Sequence, residues 1–118
     1  MIDGIYHASF KSNLGDFGEG LFVADHGRLH GGDATYLYYG TYSTYAGSVT
    51  ANVYVKHYRG TKNSIFGNLT SFQLNLKGAT SDSQLRLSGT VVGTPHLQIT
   101  LNAVKVSSLV KANNENDQ

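Results

Sequence analysis

Cysteine is absent from this 118-residue chain, which excludes a disulfide framework, a thiolate metal site and a cysteine nucleophile. Tryptophan is also absent, and proline occurs once, as Pro95. Charge of one sign is not in excess, since nine Lys/Arg stand against eight Asp/Glu. The bases are scattered singly, and the nearest approach to a cluster is Lys56, Arg59 and Lys62. Nucleic-acid binders carry a basic stripe instead, so direct contact with nucleic acid is not expected. Long apolar runs are missing too. The N-terminal stretch MIDGIYHASFKSN, with an acid at Asp3, reads as neither a signal peptide nor a membrane anchor. The expectation is a cytoplasmic chain that makes no membrane contact. At this length it should form one domain, over residues 1–110, with a polar tail at 111–118. A domain of that size can bury somewhat under ~70% of its unfolded surface, enough for a core without staples.

Fourteen glycines, eight tyrosines and many Thr, Val and Leu suit β-structure with tight turns. The densest feature is residues 31–47, in which Tyr36, Tyr38, Tyr39, Tyr42 and Tyr45 fall within ten positions behind Gly31-Gly32-Asp33. Alternation puts Tyr36, Tyr38 and Tyr42 on one face with Gly40, and Leu37, Tyr39 and Tyr45 on the other. A strand wet on one side should be apolar on one face only. One set should therefore pack inside, and the other should meet a ligand, a partner or a second copy of the chain.

Alternation recurs along the whole sequence. Residues 4–11 set Tyr6, Ala8 and Phe10 on one face. Residues 17–24 follow, then a hairpin turn at Asp25-His26-Gly27, a short strand over 28–30 ending at Gly31-Gly32-Asp33, and the tyrosine strand over 36–43. Ala46-Gly47 makes the next turn, and 48–59 gives an inner face of Val49, Ala51, Val53 and Val55. Residues 60–69 break the pattern and have room for a short helical turn or an irregular corner. Strands over 71–77, 84–92 and 97–106 complete the set. About eight short strands with hairpin-length links, and no helical pattern long enough for a parallel crossover, predict an all-β fold. An antiparallel up-and-down barrel with at most one short helix closes such strands most simply and removes the sheet edges; a two-sheet sandwich is the alternative. Eight strands leave an interior that side chains fill or that holds one small ligand.

No constellation announces a reaction. His26 and His30 are four apart with Asp25 and Asp33 nearby, but a glycine-containing turn separates them, so helical metal-ligand geometry fails. Gly18-Glu19-Gly20 and Gly31-Gly32 are not phosphate loops, because neither opens a helix and no Lys-Ser/Thr completes them. Glycine inside strands marks bends, as barrel corners need. Asp33 is expected to bond backbone N–H groups of its own turn. Asp16, Glu19 and Asp33 show no spacing that pairs carboxylates, and no G-x-S-x-G nucleophile motif occurs. His57 continues the inner face of Val49 to Val55 and is expected to be a hydrogen-bonded core or rim residue rather than a ligand contact. The Asn68-Leu69-Thr70 sequon carries no weight without a secretory signal. No catalytic residue, cofactor or metal is expected.

The ordered set Asp3-Gly4-Ile5-Tyr6, Phe10, Ser12-Asn13, Gly18-Glu19-Gly20, Gly27, Gly31-Gly32-Asp33, Tyr38 and Gly40, with the strand spacing from Phe72 to Leu109, resembles the GrlR-like family. That bacterial family is named for a negative regulator of type III secretion genes. The resemblance covers nearly the whole chain. It implies a lipocalin-like eight-stranded barrel, a homodimer, and a regulator that grips a transcriptional activator protein rather than DNA. In the family's namesake an acidic Glu-Asp-Glu-Asp motif follows the strand holding Tyr38 and Gly40; here that place reads Ser43-Thr44-Tyr45-Ala46-Gly47, without an acid. The expectation is a non-enzymatic barrel acting through protein contact, with Leu37, Tyr39 and Tyr45 as candidate interface. The alternative is a carrier of a small apolar ligand, its cavity lined by Tyr6, Phe10, Tyr36, Tyr38, Val53 and Val55.

Overall fold

Alternation along the chain becomes the inside and outside of a closed barrel. The computed structural model describes residues 1, 3–67 and 69–112. Its strands are β1 (Gly4–Ser12), β2 (Phe17–Asp25), β3 (Arg28–Gly32), β4 (Tyr36–Tyr45), β5 (Ser48–His57), β6 (Ser71–Thr80), β7 (Gln84–Val91) and β8 (Thr94–Ser107). Each pairs antiparallel with the next, and β8 returns to β1, so the barrel of eight strands has no free edge. The sandwich alternative is thereby excluded. Lys111 and Ala112 follow the last strand as exposed chain. The rest of the expected tail, 113–118, lies outside the described residues, as does Asn68 of the sequon.

The two ends of the barrel differ. At the turn end, two-residue hairpin turns close β2–β3 at His26-Gly27 and β4–β5 at Ala46-Gly47. All four residues have positive φ, 51° and 84° in the first turn and 52° and 83° in the second. Paired positive φ values twist in the sense of the flanking strands, which is why such turns suit hairpins. The loop end carries the β1–β2, β3–β4, β5–β6 and β7–β8 connections.

Strand bounds depart from the expected ones where pairing reaches past the hydrophobic pattern. β3 runs on through Gly31 and Gly32, which pair with Phe22 and Leu21 on one side and Tyr38 and Leu37 on the other. β8 begins at Thr94 rather than Leu97, and the register shifts between Thr90 and Val91. Pro95 sits beside that irregularity, where a missing N–H is tolerated. Among the described residues no helix forms. The 58–70 segment is the irregular corner: Ser64 and Gly67 exchange backbone hydrogen bonds of 2.8 and 3.0 Å around a tight turn. Ile65 and Phe66 at its tip are only 7% and 6% exposed.

Inward residues form one continuous core. Tyr6, Ala24, Val49 and Ala103 fill the turn end, with Tyr6 stacked on Phe22 at 5.1 Å between centroids. Corners of the barrel bring backbones too close for side chains. A Cβ on Gly40 would lie 1.9 Å from the Asn52 carbonyl oxygen on β5.

Candidate functional site

Two surfaces of this barrel are candidates for a binding site: its interior and the outside of β4–β5. Alternation along β4 supplies both, since Tyr36 and Tyr38 face in while Leu37 and Tyr39 face out.

The interior holds a cavity of about 140 Å³ that reaches from Met1 and Leu85 toward the turn end to Phe17 and Asn63 at the loop end. Phe10, Tyr36, Tyr38, Val53 and Val55 line it, as the sequence suggested; Tyr6 instead lies deeper, in the packed core. Leu74, Leu76, Leu87 and Ile99 complete the apolar wall, and Asn63, Ser64 and Ile65 of the 58–70 segment cover it. Phe17 lines the cavity yet is 75% exposed, which marks the opening. The Lys11 ammonium lies 5.2 Å from the centre of that ring. The Gly-Glu-Gly motif of β2 shapes this end. The Phe10 ring occupies the space a side chain on Gly18 would take, and the Tyr38 ring that of Gly20. Phe10 and Tyr38 then meet edge to face at 6.1 Å.

Asp33 holds the mouth together. Its Oδ1 accepts hydrogen bonds from the Thr35 N–H at 2.9 Å and the Tyr36 N–H at 2.8 Å, while Oδ2 accepts the Tyr38 hydroxyl. This is the local turn bond expected of Asp33, extended to a cavity-wall tyrosine. Burial, and then the bond to Asp33, push the Tyr38 phenol far above its ordinary range. Tyr36, 2% exposed, donates its hydroxyl to the Leu69 carbonyl at 2.8 Å and so ties the 58–70 segment to the wall. His57 is a rim residue, with Nε2 2.8 Å from the Gly60 carbonyl oxygen and its ring against Tyr36.

On the outside, Tyr39 pairs with Tyr54 of β5, and Leu37 with Lys56. Leu37, Tyr39, Tyr54 and Tyr58 are all exposed large side chains. Across Gly32, which offers no side chain, the patch continues to exposed Leu21 on β2. Tyr45 does not belong to this patch. It is 85% exposed and lies six residues beyond Tyr39, about 20 Å along β4, beside the Ala46-Gly47 turn. Tyr54 was not singled out from the sequence, although the Val53-x-Val55 alternation that buries its neighbours also turns it outward.

Among the described residues, one group of metal-ligating side chains converges: Asp3, Asp25 and His26, with ligand atoms within 4.8 Å of one another. His30 is not part of it; it sits on β3 opposite Tyr39. Within this group His26 Nδ1 lies 2.5 Å from Asp25 Oδ1, and the His26 N–H donates to Asp3 at 3.1 Å. Two further acids weighed from the sequence, Glu19 and Asp33, lie apart from this group. Glu19 is 3.6 Å from His7 on the outer face, whereas Asp33 lines the cavity. No helix long and apolar enough to cross a membrane is present among the described residues.

No family model and no curated protein matches this chain. Several glycines and Asp33 of the sequence motifs have physical roles in the barrel: Gly18 and Gly20 seat rings, Asp33 closes a turn, and Gly40 permits a close strand approach.

Proposed function

We propose that this chain is a cytoplasmic, non-enzymatic binding barrel that works through protein–protein contact. It associates as a homodimer and holds a partner protein, in the manner of the lipocalin-like negative regulators it resembles, which sequester a transcriptional activator. The observation that carries this reading is the outer face of β4–β5. Its inner side is fully engaged in core and cavity, yet Leu37, Tyr39 and Tyr54 face solvent side by side. Scattered exposed apolar residues are ordinary, but a contiguous group with aromatics at its centre has the composition of interface cores. Because Ser43-Thr44-Tyr45-Ala46-Gly47 carries no acid, the contact is apolar and not an electrostatic grip on a basic partner.

Capture from the source cell tests this. Wild-type protein as bait retains a partner at low salt and at about 0.5 M salt, where exposed charge pairs are screened. The Tyr39→Ser/Tyr54→Ser variant, which cannot form the dimer through this face, loses it. Equal retention by both proteins would refute the assignment of this face. The cavity favours a second activity, uptake of a small apolar molecule.

A further inference from the structure

We infer that the cavity in the barrel interior is a binding site for one small, uncharged, apolar molecule, of the size of a single aromatic ring or a short branched alkyl group. The inference rests on the cavity and does not depend on the outer face. Its volume of about 140 Å³ is the first constraint. A protein cavity of about 150 Å³ lined by Leu, Ile and Phe stays dry and takes up benzene. Long acyl chains need a larger pocket, since sites for drug-sized ligands run to roughly 300–1,000 Å³.

The wall sets the second constraint. Phe10, Val53, Leu74, Leu76 and Ile99 present hydrocarbon, and the hydroxyls among them are already engaged. Tyr38 donates to Asp33, Tyr36 to the Leu69 carbonyl, and the Ser64 hydroxyl to the Gly67 carbonyl. No buried side-chain nitrogen or oxygen among the described residues lacks a partner. The site thus offers a ligand mainly apolar contact, with the exposed Asn63 amide at its cover as the remaining polar side chain. Asp33 adds a carboxylate to the wall, which disfavours an anion inside. Access runs past exposed Phe17, beneath the turn whose tip is Ile65 and Phe66.

Titration of the full chain with toluene, and separately with benzoate and palmitate, tests the inference by methyl NMR and thermal unfolding. Toluene should bind saturably, shift the methyl signals of Val53, Leu74 and Leu76, and raise the melting temperature; benzoate and palmitate should do neither. Ala51→Leu grows a side chain from the cavity wall and should weaken toluene binding at least tenfold while unfolding remains cooperative. If that variant does not fold, Val53→Ile fills less of the same space and should weaken binding less. Absence of saturable shifts at these methyls would overturn the inference. So would equal binding of benzoate or palmitate, or toluene binding that a folded filling variant leaves unchanged.

Discussion

Tyr39 and Tyr54 stand directly opposite each other on β4 and β5, and their rings stack outside the barrel with centroids 5.7 Å and planes 20° apart. Directly opposed aromatics stabilise a strand pair by roughly 0.2–1 kcal/mol. The two remain 39% and 47% exposed, so the pair also presents a fixed aromatic surface to solvent. Side chains already held by each other lose little rotamer freedom when a partner covers them. That preorganisation is the physical basis for placing the contact here rather than at Tyr45, which stands alone at the turn end.

The Asp33–Tyr38 pair should behave as one unit in stability measurements. Asp33→Ala removes the acceptor of two backbone N–H groups and of the Tyr38 hydroxyl, and should cost about 3 kcal/mol in urea unfolding. Asp33→Asn keeps a carbonyl oxygen for the turn and should cost about 1 kcal/mol. Tyr38→Phe should cost about 1.5 kcal/mol alone and much less on the Asp33→Ala background. Strict additivity would show that the hydrogen bond contributes nothing to the fold.

Gly40 and Gly18 should respond unequally to alanine. At Gly40 the new Cβ meets backbone, the Asn52 carbonyl oxygen at 1.9 Å, and the strands must separate. Gly40→Ala should cost more than about 3 kcal/mol or prevent folding. At Gly18 the obstacle is the Phe10 ring at 2.3 Å, a side chain that can swing into the cavity. Gly18→Ala should cost about 1 kcal/mol, measured by thermal unfolding.

These residues also show what was legible in advance. The strands could be read because each inward face is a simple period-two apolar row, as in Val49, Ala51, Val53 and Val55. The inward facing of Phe10, Tyr36, Tyr38, Val53 and Val55 could be read for the same reason, since the face of a residue follows from its parity. What parity cannot supply is depth, so Tyr6 in the packed core and Phe10 at the cavity look alike in sequence. Nor does it supply distance between strands. The approach of Asp3 to His26 spans 23 residues and depends on β1–β2 register. The capping role of Ile65 and Phe66 was hidden because a loop that folds over a barrel mouth has no periodicity.

His26 should titrate above its ordinary value of 6.5, raised first by the hydrogen bond to Asp25 and then by the charge of Asp3. A raised folded-state pKa means that protonation stabilises the fold. That contribution is full below about pH 6.5 and is lost as pH rises through the folded value. The imidazole is fully exposed, so the effect on melting temperature should be small. In NMR, the His26 midpoint should fall in Asp25→Asn; an unchanged midpoint would remove Asp25 as the cause.

Sedimentation equilibrium of the wild type and of Tyr39→Ser/Tyr54→Ser tests the central claim most directly, because it asks whether the outer face of β4–β5 is a protein-binding surface. At concentrations on the order of 10 µM, well above the dissociation constants of stable homodimers, the wild type should sediment as a dimer. The variant should sediment as a monomer with an unchanged circular dichroism spectrum. A monomeric wild type, or a folded variant that remains dimeric, would contradict the account.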